Sequence, residues 1–279
     1  METIGDSLGL PDTLEQCATL LVEPFCIFDV APFLDAASYE QLRSDFPDPL
    51  RWNYASHEKG KKLYLNDTSP ELHRFLATSP AWSQLFRSIA TQAFVTKLQR
   101  LVADQITHRP PEDLLLWQYV EARGPRSTYS RVRRKLVAAT ARGRRTPVTV
   151  ALEFSVLQPG TEVPPHNDVP RKLVSLMLYF PTDAQERHPA LGTSFFRGRR
   201  GEAGWVEWAS TMMDKESADA FFSAHEEFHR SEFVKNRLVG FIKNGASWHA
   251  VPPIPDDAGP RRSVNINVLL DQPKPAKGP

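Results

Sequence analysis

The sequence predicts an α+β fold with a β-rich core, in which N-terminal helices back a sandwich or barrel of short strands. Over the first hundred residues apolar side chains recur at helical spacing; from about residue 114 the texture changes to short β-branched and aromatic runs separated by Gly and Pro. Strands never alternate with helices as βαβ units would require, which argues against a doubly wound parallel sheet. A length of 279 residues suits one such domain with its decorations.

The helical positions are Leu14, Leu20 and Leu21, then Tyr39, Leu42 and Phe46, then Trp82, Leu85, Phe86, Ile89, Phe94 and Leu98. A short extended piece, 25–30, lies between the first two groups. Strands are expected at 114–120, 148–157, 171–180, 193–196, 237–242 and 263–270. Segment 214–233 breaks this pattern with helix-favouring residues, and Phe221, Ala224 and Phe228 fall on one side of a helix, so it reads as a helical insertion between late strands. The Pro- and Lys-rich stretch 272–279 can hold neither a helix nor a central strand and is expected to be a disordered tail. The expected organisation is one domain over 1–279: a helical support region, 1–110, then a β core, 111–271, carrying the insertion.

A net charge of +1 gives no general reason to expect nucleic-acid or membrane binding. No apolar stretch approaches the roughly 20 residues of a membrane span, and Met1-Glu2-Thr3-Ile4-Gly5-Asp6 lacks the order of a signal peptide, so a cytoplasmic protein is the expectation. Cys17 and Cys26 are too few for a disulfide scaffold and read as reduced thiols. The stretch 123–145, rich in arginine from Arg126 to Arg145, is a local cation. It reads either as a solvated loop or as a means of recruiting an anionic substrate, such as a phosphorylated sugar or a carrier-bound acyl group. Nucleic acid ranks lower, because Tyr129 is the only aromatic there that could stack on a base.

The chemistry concentrates in Pro164-Pro165-His166-Asn167-Asp168, a His-x-Asp pair leading into the strand at 171–180. Two positions apart on extended backbone, imidazole and carboxylate point the same way and can share one ion. The triplet alone is weak, since composition would supply about half of one by chance. Its surroundings strengthen it. Strand 148–157 reaches the motif through the turn Gln158-Pro159-Gly160, and some eighty residues later the turn Lys243-Asn244-Gly245 returns the chain through Trp248-His249, offering His249 as third ligand. Two His and one carboxylate on one side of a metal leave open positions opposite, the pattern of non-haem Fe(II) oxygenases. In the last strand Arg261, Ser263, Asn265 and Asn267 share one face and Val264, Ile266 and Val268 the other, a polar face regular enough to line a pocket.

With these residues in place, the region 148–270 resembles the 2-oxoglutarate- and Fe(II)-dependent oxygenases, nearest their prolyl-4-hydroxylase-like branch. The resemblance implies a double-stranded β-helix (jelly-roll, cupin-like) in which His166, Asp168 and His249 bind Fe(II). It also implies a basic residue at the last core strand for the far carboxylate of 2-oxoglutarate. Arg261, paired with Ser263, fits that role, with Arg262 the alternative for a register shifted by one; Ser175 and Tyr179 are further candidates to touch the cosubstrate. Gly192-Thr193, ahead of Phe195 and Phe196, is similar to the Gly-rich start of a middle strand. The chain departs from the pattern in a long Asp-to-His spacing, which the helical insertion would explain, and in lacking an Asn after Tyr179-Phe180. The implied activity uses O2 and 2-oxoglutarate, releases succinate and CO2, and hydroxylates a small-molecule, carrier-bound or peptidyl substrate. Related halogenases replace the carboxylate ligand by a small residue, so Asp168 argues for oxygen transfer.

A rival metal motif is His225-Glu226-Glu227-Phe228-His229, which matches His-Glu-x-x-His and would make a zinc hydrolase if helical, with Glu226 as general base. No third ligand follows at a spacing that closes a tetrahedral site, and the histidines are read as the solvated side of the insertion. A non-catalytic jelly-roll binding protein is the third alternative.

Overall fold

The computed structural model describes residues 14, 18–52, 55–57, 62–102, 116–120, 145–199 and 215–271. In chain order they form β1 (Ala18–Leu21), β2 (Ile27–Val30), α1 (Ala36–Ser44), α2 (Pro49–Trp52), β3 (Ala55–His57), β4 (Lys62–Asn66), α3 (Pro70–Thr78), α4 (Pro80–Ile89), α5 (Gln92–Val102), β5 (Leu116–Tyr119), β6 (Arg145–Leu157), β7 (Val163–His166), β8 (Lys172–Tyr179), β9 (Ser194–Gly198), α6 (Lys215–Ala224), β10 (His225–Arg230), β11 (Leu238–Ile242), β12 (Trp248–Val251) and β13 (Arg261–Leu270). The basic stretch as far as residue 144, the tail 272–279, Cys17 and the first residues lie outside the described set.

Helix boundaries follow local chemistry. Asp35 accepts from the Ser38 amide to start α1, and Ser69 followed by Pro70 starts α3. Ser79 ends α3 and, with Pro80, caps α4. Trp82 on α4, Phe75 on α3 and Phe46 beyond α1 meet edge-on around Phe154 of β6, with the Trp82 and Phe154 rings 4.6 Å apart. One core therefore joins these helices to the outer face of the large sheet, where Leu152, Val264, Ile266, Val268, Leu176 and Leu178 point.

The large sheet runs β1-β2-β11-β8-β13-β6-β4-β3, with β5 also pairing β6, and the small sheet runs β10-β9-β12-β7. From β6 to β13 the chain places β6, β8, β11 and β13 in the large sheet and β7, β9, β10 and β12 in the small one, the two-sheet winding of a double-stranded β-helix. Between the sheets lies a second apolar cluster, including Ile27, Val239, Phe241, Tyr179, Phe195 and Phe233. It fills the side nearest β11. Across β13, β6 and β4 the same inner face is polar, as the alternation in 261–267 predicts.

Three expectations need correction. Leu20 and Leu21 belong to β1, a strand paired with β2, and β3 and β4 add two more strands in the region read as helical. Segment 214–233 is only partly a helix: α6 ends at Ala224, and 225–230 pairs with β9 as an edge strand of the small sheet. Cross-strand pairing outweighs the helix-favouring composition there, and Phe228 turns inward to meet Phe25 edge-on at 5.7 Å. The segment thus supplies part of the core fold as well as an insertion. Cys26 is buried, and burial pushes its thiol up to about 11, which suits an unreactive side chain.

Gly192 opens the way into β9 because nothing larger fits. A Cβ there would stand 1.9 Å from the Ser231 carbonyl oxygen, a backbone atom that cannot swing aside. Gly192→Ala is expected to destabilise the protein by about 1–3 kcal/mol, the cost of overpacking, read as a lowered urea midpoint at unchanged m-value.

Candidate metal centre

His166 ends β7, Asp168 lies in the crossing to β8, and His249 is the second residue of β12. Antiparallel pairing sets His249 directly opposite His166, with ring centroids 4.1 Å apart. Asn167, between the two motif residues, donates to the Gly245 carbonyl at 2.7 Å and accepts from Ser247 at 2.9 Å. That pair of bonds ties the β7–β8 crossing to the β11–β12 turn.

His166 Nε2 lies 4.0 Å from Asp168 Oδ1, and His249 Nε2 lies 3.9 Å from Oδ2. One ligand atom from each residue lies within 4.8 Å of the others, room for a single ion. The donor chemistry fits. Each ring donates its Nδ1–H to the carbonyl two residues before it, Pro164 and Ser247, both at 3.0 Å, leaving the Nε2 lone pairs on the side of Asp168. Burial lowers both imidazole pKa values, that of His249 to about 3 with help from the neighbouring His166, so both rings stay neutral as a ligand must. Burial acts on Asp168 in the opposite sense. The Lys172 ammonium, followed by His249 and His166, outweighs it and holds the carboxyl well below the usual carboxylate range.

Ser175 and Lys172 support Asp168. Ser175 Oγ donates to Oδ2 at 2.9 Å, and Lys172 Nζ donates to Oδ1 at 2.7 Å. Arg261 sits in the interior at 2 % exposure, its Nε donating to the Leu191 carbonyl at 2.7 Å and Nη1 to Ser263 Oγ at 3.2 Å. Its guanidinium lies over the Tyr179 and Phe233 rings at 5.2 and 5.0 Å. The Tyr179 hydroxyl bonds to Thr193 and Ser231 at 2.8 and 2.7 Å. Among the described residues no carboxylate pairs with Arg261, and burial lowers its pKa against the opposing effect of Tyr179. Arg262 points the other way, exposed and 5.7 Å over Phe46, so the register favours Arg261 as the inward cation.

The rival motif is not on a helix, so its premise of two histidines one turn apart fails. On β10, four residues place His225 and His229 roughly 13 Å apart along the strand. His225 stacks on Phe221 at 4.0 Å, and Glu226 pairs with Arg197 at 2.8 Å. His229 stacks on Phe195, with its Nε2 buried and without a hydrogen-bond partner among the described residues, so it is no solvated surface group. Sequence reasoning assigned no role to Lys172, Asn167 or Asn236, and marked Thr193 only as part of the Gly-rich start of a strand. Lys172 alone carried a local signal, standing four residues after Asp168 at the start of the predicted strand. Asn236, which brackets the Leu34 backbone through both amide atoms, is 202 residues from its partner.

Fold and site together define a double-stranded β-helix enclosing a His-Asp-His candidate metal centre. No protein-family model matches the chain, and no curated protein matches it. Among solved structures it is similar to a prolyl-4-hydroxylase from Pseudomonas putida, at 15 % identity over 94 % of this chain and 99 % of that one, with a TM-score of 0.43. HygX from Streptomyces hygroscopicus, solved with nickel, 2-oxoglutarate and hygromycin B bound, matches at 10 % identity over 88 % and 83 %, TM-score 0.45. The non-haem α-ketoglutarate-dependent carbocyclase SnoK from nogalamycin biosynthesis matches at 9 % over 94 % and 83 %, TM-score 0.47.

Two outcomes follow from this geometry. Alanine at His166, Asp168 or His249 should abolish stoichiometric Mn(II) binding in equilibrium dialysis, whereas His225→Ala and His229→Ala should retain it. Burial lowers the pKa of His229 below its ordinary 6.5, so unfolding takes up a proton there: its contribution is complete above pH 6.5 and is lost as the pH falls below it. His229→Phe keeps the stack on Phe195, removes the orphaned nitrogen, and should lose less stability between pH 7 and pH 5 than the parent in urea titrations.

Proposed function

We propose that the chain is a non-haem Fe(II)- and 2-oxoglutarate-dependent dioxygenase, a hydroxylase that couples substrate oxidation to decarboxylation of 2-oxoglutarate to succinate and CO2. The observation that carries this reading is a buried guanidinium without a carboxylate partner among the described residues, inside the same sandwich as the three convergent ligand atoms. Such a cation is costly unless a bound anion completes it. His166, Asp168 and His249 would hold the iron, which when bound supplies the oxygen chemistry.

The protein's own residues do the rest. Arg261 offers a planar fork to the far carboxylate, and its bonds to Leu191 and Ser263 fix the fork before any ligand arrives. Tyr179, held by Thr193 and Ser231, closes the wall beside it. Phe241, 4.5 Å from the His249 ring, and Phe195 shield the centre on its apolar side and limit water there. Lys172 and Ser175 each engage a different oxygen of Asp168, which keeps the carboxylate turned toward both imidazoles.

The test is succinate formation from 2-oxoglutarate with Fe(II) and O2, run beside Mn(II) binding because turnover without the true substrate is slow. His166→Ala should abolish it. Arg261→Ala should raise the KM for 2-oxoglutarate by roughly 30-fold, the loss of one buried charge-assisted pair, while Mn(II) binding persists. A protein that binds Mn(II) but neither binds nor consumes 2-oxoglutarate would sink the proposal.

A further inference from the structure

The inner face of the large sheet continues past the metal centre as a polar floor. Its rows follow from strand register: Ser175 beside Asn267 and Ala151; Met177 beside Asn265, Glu153 and Asn66; Tyr179 beside Ser263, Ser155 and Tyr64. Asn66, Glu153, Asn265 and Asn267 are all partly exposed, although Leu65, Phe154, Val264 and Ile266 between them are buried against the helices. This floor faces into the sandwich, not outward.

Glu153 is its centre. Asn66 Nδ2 donates to Oε2 at 3.2 Å and Asn265 Nδ2 donates to Oε1 at 3.3 Å, one amide on each side. Asn66 is itself fixed, since its Oδ1 accepts from the Thr68 amide at 3.1 Å and hydroxyl at 2.7 Å. No cation pairs with Glu153 among the described residues, and its same-face neighbours Asn66, Asn265, Ala151 and Ser155 are all neutral. Lys62, the cation of this face on β4, is four residues from Asn66, roughly 13 Å along the strand. A carboxylate has about four acceptor sites, and the two amides occupy two of them. What remains is an oriented, partly exposed anion with acceptor capacity to spare on the inner face of the sheet.

The floor is continuous with the metal centre, because Ser175 Oγ, which holds Asp168, lies 3.3 Å from Asn267 Oδ1. Glu153 stands two strand spacings across the sheet and two residues along it from Ser175, roughly 12 Å away. We infer that Glu153, braced by Asn66 and Asn265, binds the ammonium group of a hydroxylated primary amine whose oxidised carbon lies over the metal. The amine forms a charge-assisted bond with the unpaired carboxylate, and the amide and hydroxyl groups of Asn267, Ser155 and Tyr64 suit neighbouring hydroxyls. An anionic substrate would set its charge against Glu153 with no cation in the row to relieve it.

This inference rests on the proposed oxygenase site, and the test separates the two. Protein loaded with Mn(II) and 2-oxoglutarate is titrated calorimetrically with a set of amino sugars and aminocyclitols, each beside its N-acetylated form. Wild type should bind at least one free amine about tenfold or more tightly than its acetylated partner, and Glu153→Gln should remove that preference, as expected for loss of a bond to a charged group. Mn(II) affinity and melting temperature of Glu153→Gln serve as folding controls, and Asn66→Ala, which frees one side of the carboxylate, should weaken amine binding by a smaller factor. Equal binding of amines and acetylated forms, no binding of any amine by loaded wild type, or an undiminished preference in Glu153→Gln overturns the inference and leaves the oxygenase reading standing. Failure of wild type to load with Mn(II) and 2-oxoglutarate would overturn both.

Discussion

The pairing of β12 with β7 sets His249 opposite His166, ahead of a one-residue shift in register by Val251, and everything proposed for this chain depends on that alignment holding. A slip of one residue would turn either imidazole to the outer face of the small sheet, where Trp248 and Ala250 now pack with Phe196 and Phe221. Two features resist a slip. Asn167 joins the β7–β8 crossing to the β11–β12 turn through Gly245 and Ser247, and the inward Phe195 and Phe241 pack on the His249 ring. The ligands are therefore held by the sheet and its turns, and each imidazole carries its own backbone acceptor to fix which nitrogen faces the centre.

The interior is divided to suit this. On the β11 side the space between the sheets is closed by Phe25, Ile27, Val239 and Phe241; on the β13, β6 and β4 side it is lined by Arg261, Ser263, Asn265, Asn267, Ser155 and Glu153. The apolar half excludes water and raises the cost of any unpaired charge near it. The polar half would be hard to keep in a purely structural protein, because amides and a carboxylate on an inner face gain nothing from burial. The outer face of the same strands carries the stabilising load instead, with Phe154, Val264 and Ile266 packed against the helices.

Much of this was legible in the sequence, for a physical reason. The alternation of Arg261, Ser263, Asn265 and Asn267 with Val264, Ile266 and Val268 is written locally, because a strand between two unlike environments must alternate. His166 and Asp168 were legible as a pair for the same reason of period. The strands β1, β3, β4 and β10 were not. Each sits at or near a sheet edge and is fixed by a partner elsewhere in the chain, as β4 is by β6, roughly ninety residues on. Segment 225–229 shows the hazard most plainly: its spacing of histidines is a metal motif only on a helix, and pairing with β9 makes it a strand. Glu153 was invisible for a related reason. It reads as one acid in an apolar run until register sets Asn66 and Asn265 on either side of it.

Charge balance links the pieces of the proposed site. Without ligands, Asp168 is neutralised by Lys172, both imidazoles are neutral, and Arg261 is left as a buried positive charge without a carboxylate partner among the described residues. A divalent metal alone would add to that excess in a region where burial magnifies it. A dianion that reaches both the metal and Arg261 would offset two of those three positive charges, so each ligand favours the other by the same coupling free energy. Among the described residues Arg261 has no acid paired with it, as most buried cations have. Under the proposed reading that arrangement is functional: an internal carboxylate would stabilise the empty fold and compete with the cosubstrate for Arg261.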